Sequence, residues 1–305
     1  MIKTTKNSRY IFTFLKIILT FLVGYFSYLQ IRKLGTNGIQ KLTITSPVYL
    51  ILAIILVVPN YFFEYRKWNL IIKVCNVEST VQQKIQSFFA GIITGMLTPN
   101  MQGNFLGRIF YYPREHRISL TLFTLTSNLG QFIATILLGI ISLVIIKPEN
   151  SINTFILLIS FCIAVILLYG FFERIQLFKH KFRWFERFSI LLLKNNDFRL
   201  KILLYSLFRN GVFSLQYLLV LKALGVEINL EIYWKIWELY LWTTLSPSLF
   251  LGKLFIRESI ALWVFAPMQI DPWVIVANSV IVWIINLLLP TLVGLLIAKR
   301  RKEAL

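Results

Sequence analysis

Apolar residues run in long blocks along this chain, and the polar residues between them are short, mostly basic interruptions. An apolar run of about 20 residues crosses the roughly 30 Å hydrocarbon layer as a helix. On that basis the pattern predicts spans near residues 10–31, 47–65, 118–146, 152–172, 201–221 and 272–298. Two other stretches have a different form. Ile85 to Leu97 is too short to cross and stops before Pro99; Tyr233 to Leu245 stops before Pro247, and Leu254 to Phe265 leads back. Each reads as a re-entrant hairpin, at about 85–115 and 232–268. The first span is too long and begins too late for an ordinary cleaved signal peptide, so it is expected to remain as an anchor.

Composition removes the soluble alternative. With 57% hydrophobic and 15% charged residues, the chain carries more apolar surface than one water-soluble core can hide. The net charge of +19 is unevenly placed. Basic clusters at Lys3 to Arg9, Arg66 to Lys84, Arg108 to Arg117, Arg174 to Lys201 and Lys299 to Lys302 put 22 Lys and Arg on one side against six on the other. The positive-inside rule makes the richer side cytoplasmic and both termini cytoplasmic, in the cell membrane. Segment 173–200 mixes cations with Phe178, Phe182, Trp184, Phe185 and Phe188. Tethered between two spans, it is expected at the lipid headgroups and not on nucleic acid. Cys75 and Cys162 lie in separate segments, and His116 and His180 have no ligand partners nearby in sequence, so neither a disulfide, a metal nor a cofactor is expected.

The chain also repeats itself. Leu70, Lys73, Val77 and Glu78 recur 149 residues later as Leu219, Lys222, Val226 and Glu227. Leu97-Thr98-Pro99-Asn100 is echoed by Leu245-Ser246-Pro247-Ser248, and Gly103 and Arg108 by Gly252 and Arg257. The expected fold is all-α: one polytopic integral membrane domain over 1–305, with about six transmembrane helices and the two hairpins arranged as an inverted repeat, 47–146 and 201–298. In many transporters such repeats bring broken helices together near the midplane, where freed backbone groups bind substrate.

Charge within apolar segments marks the candidate site. Arg108, Arg209, Lys253, Arg257 and Glu258 sit where an ionised side chain costs at least about 2.5 kcal/mol. Pro99, Asn100, Gln102, Gly103, Asn104 and Arg108 of the first hairpin are expected to meet Ser246, Pro247, Ser248, Gly252, Lys253, Arg257 and Glu258 of the second, with Arg209 beside them. The arginines then either clamp a headgroup phosphate or stabilise the hairpins, Arg257 with Glu258 or each with a helix C-terminus. Glu64, Glu238 and Glu258 are the acidic residues near apolar spans.

Arg66-Lys67-Trp68, the run Leu97 to Arg108, Leu245-Ser246-Pro247 and Arg257-Glu258 together resemble the membrane region of lysylphosphatidylglycerol synthases, a flippase-like domain. The resemblance covers nearly the whole chain. Some positions depart from it: Met101 and Asn104 stand where members usually carry Arg and Glu, and Phe255 and Ile256 precede the second Arg-Glu where members often have Gly. The resemblance implies a helical inverted-repeat fold and a lipid flippase-like or lipid-transporting role, with an anionic or phosphate-bearing membrane lipid and a separately encoded lipid-modifying enzyme as partners. Two other classes stay open: a non-catalytic partner in lipid or cell-envelope synthesis, and a membrane-embedded lipid-modifying enzyme. The second lacks an evident acid and base pair, so the expectation is a chain that is not an enzyme.

Overall fold

The computed structural model describes residues 42–96, 98, 103–146, 197–246 and 252–297, with isolated positions between 156 and 167. The expected span at 10–31 and the basic stretch 173–196 lie outside these residues. All described elements are helical: α1 (Pro47–Ile55), α2 (Val57–Val74), α3 (Val81–Met96), α4 (Asn104–Ile109), α5 (Arg114–Ile146), α6 (Asp197–Ala223), α7 (Leu230–Leu245), α8 (Gly252–Phe265), α9 (Pro272–Trp283) and α10 (Leu289–Ile297). A π-helical turn, Ile284–Leu288, joins the last two.

Among the described residues, three helical stretches are long and apolar enough to cross a membrane: Pro47–Val74, Arg114–Ile146 and Pro272–Ile297, of 28, 33 and 26 residues. The first runs well past the expected end at 65. Arg66 and Lys67 therefore belong to the helix instead of following it, and Lys67 is buried. Of the cations assigned to the cytoplasmic face, Lys67 and Arg108 are in fact interior groups.

The first stretch is inside out relative to a soluble helix. Val48, Ile51, Ile55, Val58 and Phe62 form an exposed apolar stripe, while Asn60, Glu64 and Lys67 point into the protein. That arrangement suits lipid outside and a polar interior. Helix α6 supplies the matching inner face through Ser206, Asn210, Ser214 and Gln216, all buried.

Helices α2 and α6 run antiparallel. Gln216 Nε2 donates to the Ala53 carbonyl at 2.9 Å, Arg209 Nε to Asn60 Oδ1 at 2.9 Å, and the Phe63 and Phe208 rings stack at 5.5 Å, so one register falls as the other rises. Asn60 and Arg209 are themselves 149 residues apart. The same offset relates the two main apolar cores: Trp68, Ile71 and Ile72 in one correspond to Tyr217, Val220 and Leu221 in the other, and Ile202 and Ala53 are exchanged between them.

The recurring Lys-to-Glu motif is a helix stop. At Asn76 (φ 51°) and Gly225 (φ 88°) the backbone turns left-handed, and Val77 and Val226 donate back to Ile72 and Leu221 at 3.2 and 3.1 Å. This is the six-residue bond of a Schellman cap, with Lys73 and Lys222 placed near the negative helix ends. Next to the first cap, burial pushes the Cys75 thiol up to about 12, which leaves it unreactive at neutral pH.

After each stop comes a 16-residue arm, α3 in the first half and α7 in the second. Arm α3 folds back on the short helix α4. Thr94 Oγ1 donates to the Gly103 carbonyl at 2.7 Å, and Gln83 Nε2, near the start of the arm, reaches the Tyr111 carbonyl at 2.6 Å. The chain thus leaves the hairpin at the level where it entered. Arm α7 packs on α8, with Trp242 against Trp263, and on α5, where Gly139 admits Leu241 and Ser142 Oγ donates to the Trp234 carbonyl at 2.6 Å.

Candidate functional site

Glu64 is the centre of the largest buried charge cluster among the described residues. Its carboxylate meets Lys67 Nζ at 2.8 Å from its own helix, Arg108 Nη2 at 3.1 Å from the first hairpin, and Arg209 Nη1 at 3.0 Å from α6. Asn60, Glu64 and Lys67 share a face because they are spaced four and three residues apart on one helix. Arg108 reaches that face because the glycines of the hairpin let α4 lie against α3. A Cβ on Gly91 would fall 2.6 Å from Arg108 Cγ.

Neutral groups hold the cations in place. Lys67 also donates to Gln131 Oε1 at 3.1 Å, and Gln131 Nε2 to the Ser206 carbonyl at 3.4 Å. The Arg108 guanidinium lies over the rings of Trp68 and Phe88, 5.2 and 5.0 Å from their centroids, and that of Arg209 over Phe213 at 5.0 Å. Asn60 passes the network on, donating to Asn286 Oδ1 at 2.6 Å, while the Tyr61 hydroxyl donates to the Asn286 carbonyl at 2.6 Å. Asn286 belongs to the π-helical turn, a local distortion often found at functional positions.

The charge does not balance. Three cations face one carboxylate, and no second carboxylate forms an ion pair with them among the described residues. Arg108 Nε is buried without a hydrogen-bond partner. Arg209, with a side chain 19% exposed, is the most accessible of the three cations, against 2% for both Lys67 and Arg108. An anion with more than one acceptor oxygen would meet both the surplus charge and the unused donor.

The family comparison matches residues 13–294 to the lysylphosphatidylglycerol synthase TM region. The chain belongs to that family. Membership makes it a membrane protein of lipid metabolism or lipid flipping. Comparisons with curated proteins and with solved structures found no match.

For this family member, the expected site residues divide into groups. Arg108 and Arg209 come together at Glu64. Gly103 and Asn104 serve the turn: Gly103 N–H donates to Thr98 Oγ1 at 2.6 Å, and Asn104 packs against Gly91. Ser246 ends α7, its N–H donating to the Trp242 carbonyl at 2.9 Å. Arg257 does not pair with Glu258; its Nη2 donates to the Ser279 carbonyl, and Glu258 is half-buried beside it on α8. Pro99, Asn100, Gln102, Pro247 and Ser248 lie outside the described residues, and Gly252 and Lys253 are described only as backbone.

Sequence reasoning missed Lys67, Asn60, Gln131 and Asn286 as members of the cluster. The signal for the first two was available, since polar residues at 60, 64 and 67 recur at helical spacing within an apolar run. Lys235 and Glu238 form a second buried pair at 2.8 Å on α7. That pair is neutral as a unit and leaves no surplus charge.

Proposed function

We propose that the chain moves an anionic phospholipid across the cell membrane, with the headgroup phosphate engaging Arg108 and Arg209 around Glu64 and passing between the two hairpins. The observation that carries this reading is the buried surplus of cations over carboxylate on the inner face of helices whose outer face is apolar. Guanidinium groups suit phosphate because their planar fork donates two parallel bonds. A separately encoded enzyme would supply the modified lipid.

Replacing Arg209 with Gln tests this reading, because Gln keeps a donor for Asn60 and removes the charge. In vesicles of phosphatidylcholine with fluorescent phosphatidylglycerol, the variant is expected to move the probe at least about tenfold more slowly, as loss of one charge-assisted pair to phosphate implies. Its melting midpoint should change little. Wild-type rates in the variant would reject the site.

The inverted repeat belongs to the same proposal. It is supported by the antiparallel run of α2 and α6, the 149-residue correspondence of the cores and caps, and the bond from Gln83 to Tyr111. The expected topology has both termini cytoplasmic, six spans, hairpin 85–115 opening to the cytoplasm and hairpin 232–268 opening outside. Single cysteines introduced at Lys84 and Arg117, in a background without Cys162, should both react with an impermeant thiol reagent from the cytoplasmic side. Reaction from opposite sides would reject the re-entrant arrangement. The buried Cys75 should not compete.

A further inference from the structure

We infer that the Glu64 site selects a compact dianionic headgroup, that of a lipid ending in a phosphate monoester or diphosphate, over phosphodiesters and over headgroups that carry an amine. The inference rests on the reading of the chain as a handler of anionic phospholipid, and it names the substrate class of that same site.

The charges around Glu64 carry it. Lys67, Arg108 and Arg209 surround one carboxylate, which leaves two positive charges uncompensated. The enclosing elements bring no relief. Residues 118–146 of α5, and 272–297 across α9, the π-helical turn and α10, contain no Asp, Glu, Lys or Arg. Arm α3 offers only Lys84, near its start. On α6 the acidic residue is Asp197, which is exposed and pairs with Lys201 at 3.2 Å. Arg66 lies over the exposed Phe62 ring on the outer side of α2. Among the described residues the surplus is therefore two charges. A monoanion leaves one of them unmet, and an aminoacylated headgroup adds ammonium groups to a site already rich in cations. A dianion cancels both.

Geometry restricts the form of that dianion. Lys67 Nζ and Arg209 Nη1 both meet Glu64 Oε2, at 2.8 and 3.0 Å, and Arg108 Nη2 meets Oε1 at 3.1 Å. Cations gathered so tightly match two negative charges on one phosphate or on two joined phosphates, and not two phosphodiesters held apart by a glycerol. Arg209 makes the contact. Its side chain is partly exposed, whereas Lys67 and Arg108 are enclosed and act through their field, which surroundings poor in water screen weakly. Among the described residues Arg209 Nε serves Asn60 and its Nη1 serves Glu64, which leaves Nη2 for an incoming phosphate.

The test is competition for fluorescent phosphatidylglycerol bound to the full chain in a neutral detergent at about pH 8, where a phosphate monoester, with its second ionisation at about pH 6, is dianionic. The competitors are dihexanoylphosphatidate and dihexanoylphosphatidylmethanol, which differ by one methyl group and one charge. Phosphatidate is expected to displace the probe at a concentration lower by a factor of roughly ten or more, as one added charge-assisted interaction implies. Lysylphosphatidylglycerol should compete least. Lys67→Met removes one surplus charge at an enclosed position and should shrink the difference between the two lipids to about threefold or less. The wild-type comparison stands without the variant. Equal displacement by phosphatidate and phosphatidylmethanol, or an undiminished preference in a Lys67→Met chain that still binds the probe, would overturn the dianion assignment and leave the anionic-phospholipid reading intact. A probe that never binds would overturn both readings. Farnesyl diphosphate in the same competition separates the two sources of this chemistry: displacement at a lower concentration than phosphatidate supports the diphosphate, and at a higher one the monoester. Inorganic phosphate competing as well as phosphatidate would overturn the assignment to a lipid.

Discussion

Glu64→Gln is expected to lower the melting midpoint by on the order of 10 °C. The change is nearly isosteric, but it leaves Lys67, Arg108 and Arg209 facing one another without the carboxylate they share at 2.8, 3.1 and 3.0 Å. Breaking one buried ion pair costs about 3–5 kcal/mol, and each kcal/mol moves the midpoint of a domain this size by roughly 2–4 °C. Two of the three cations are fully enclosed and cannot turn to water. Adding Lys67→Met to Glu64→Gln should recover part of the loss, because it removes one of the stranded charges. Melting curves of both variants decide the matter, and an unchanged midpoint in Glu64→Gln would show that the carboxylate does not hold the cluster.

Gly107→Ala should be at least as damaging, although it adds only one methyl group. A Cβ at this position would fall onto Thr94 Oγ1 and the Ala90 carbonyl, and 2.7 Å from the Ala90 carbonyl carbon. Backbone atoms of a packed helix cannot step aside, so α4 must move off α3. Overpacking costs about 1–3 kcal/mol or more when the backbone has to shift. Here the shift also carries Arg108 away from Glu64, so loss of the ion pair is added to it. Gly211→Ala is the control. Its Cβ would meet nothing within 4 Å, and relief of glycine's helix penalty should stabilise α6 by up to about 1 kcal/mol. Equal melting midpoints for the two variants would show that the hairpin is not closed through Gly107.

The need for a partner at Arg108 was legible from its place in an apolar run, but the identity of that partner was not. Glu64 stands 44 residues away. Nothing local connects them until α3 and α4 close and bring the guanidinium onto α2. The same gap explains why Lys67 was assigned to the cytoplasmic charge. On the pattern of runs, a cation just beyond residue 65 looks like a flank, and only the packing of Gln131 and Glu64 around it makes an interior position tolerable. For Arg257 the nearest carboxylate in sequence was the wrong guide: Glu258 sits next to it on α8, yet the guanidinium turns to Ser279. Adjacent residues on a helix point about 100° apart, so sequence neighbours seldom meet side chain to side chain.

Local pattern was enough for the helical fold and for the membrane as solvent. Each of these is written in neighbouring residues: run length sets a helix against the bilayer, and a left-handed residue followed by Val ends it at Asn76 and Gly225. Tertiary structure decided which charges share a site, because ion-pair choice depends on how α2, α4 and α6 cross and on what is enclosed when they do. Burial makes an unpaired charge costly wherever it falls, and only the packing of distant helices determines which opposite charge is within reach.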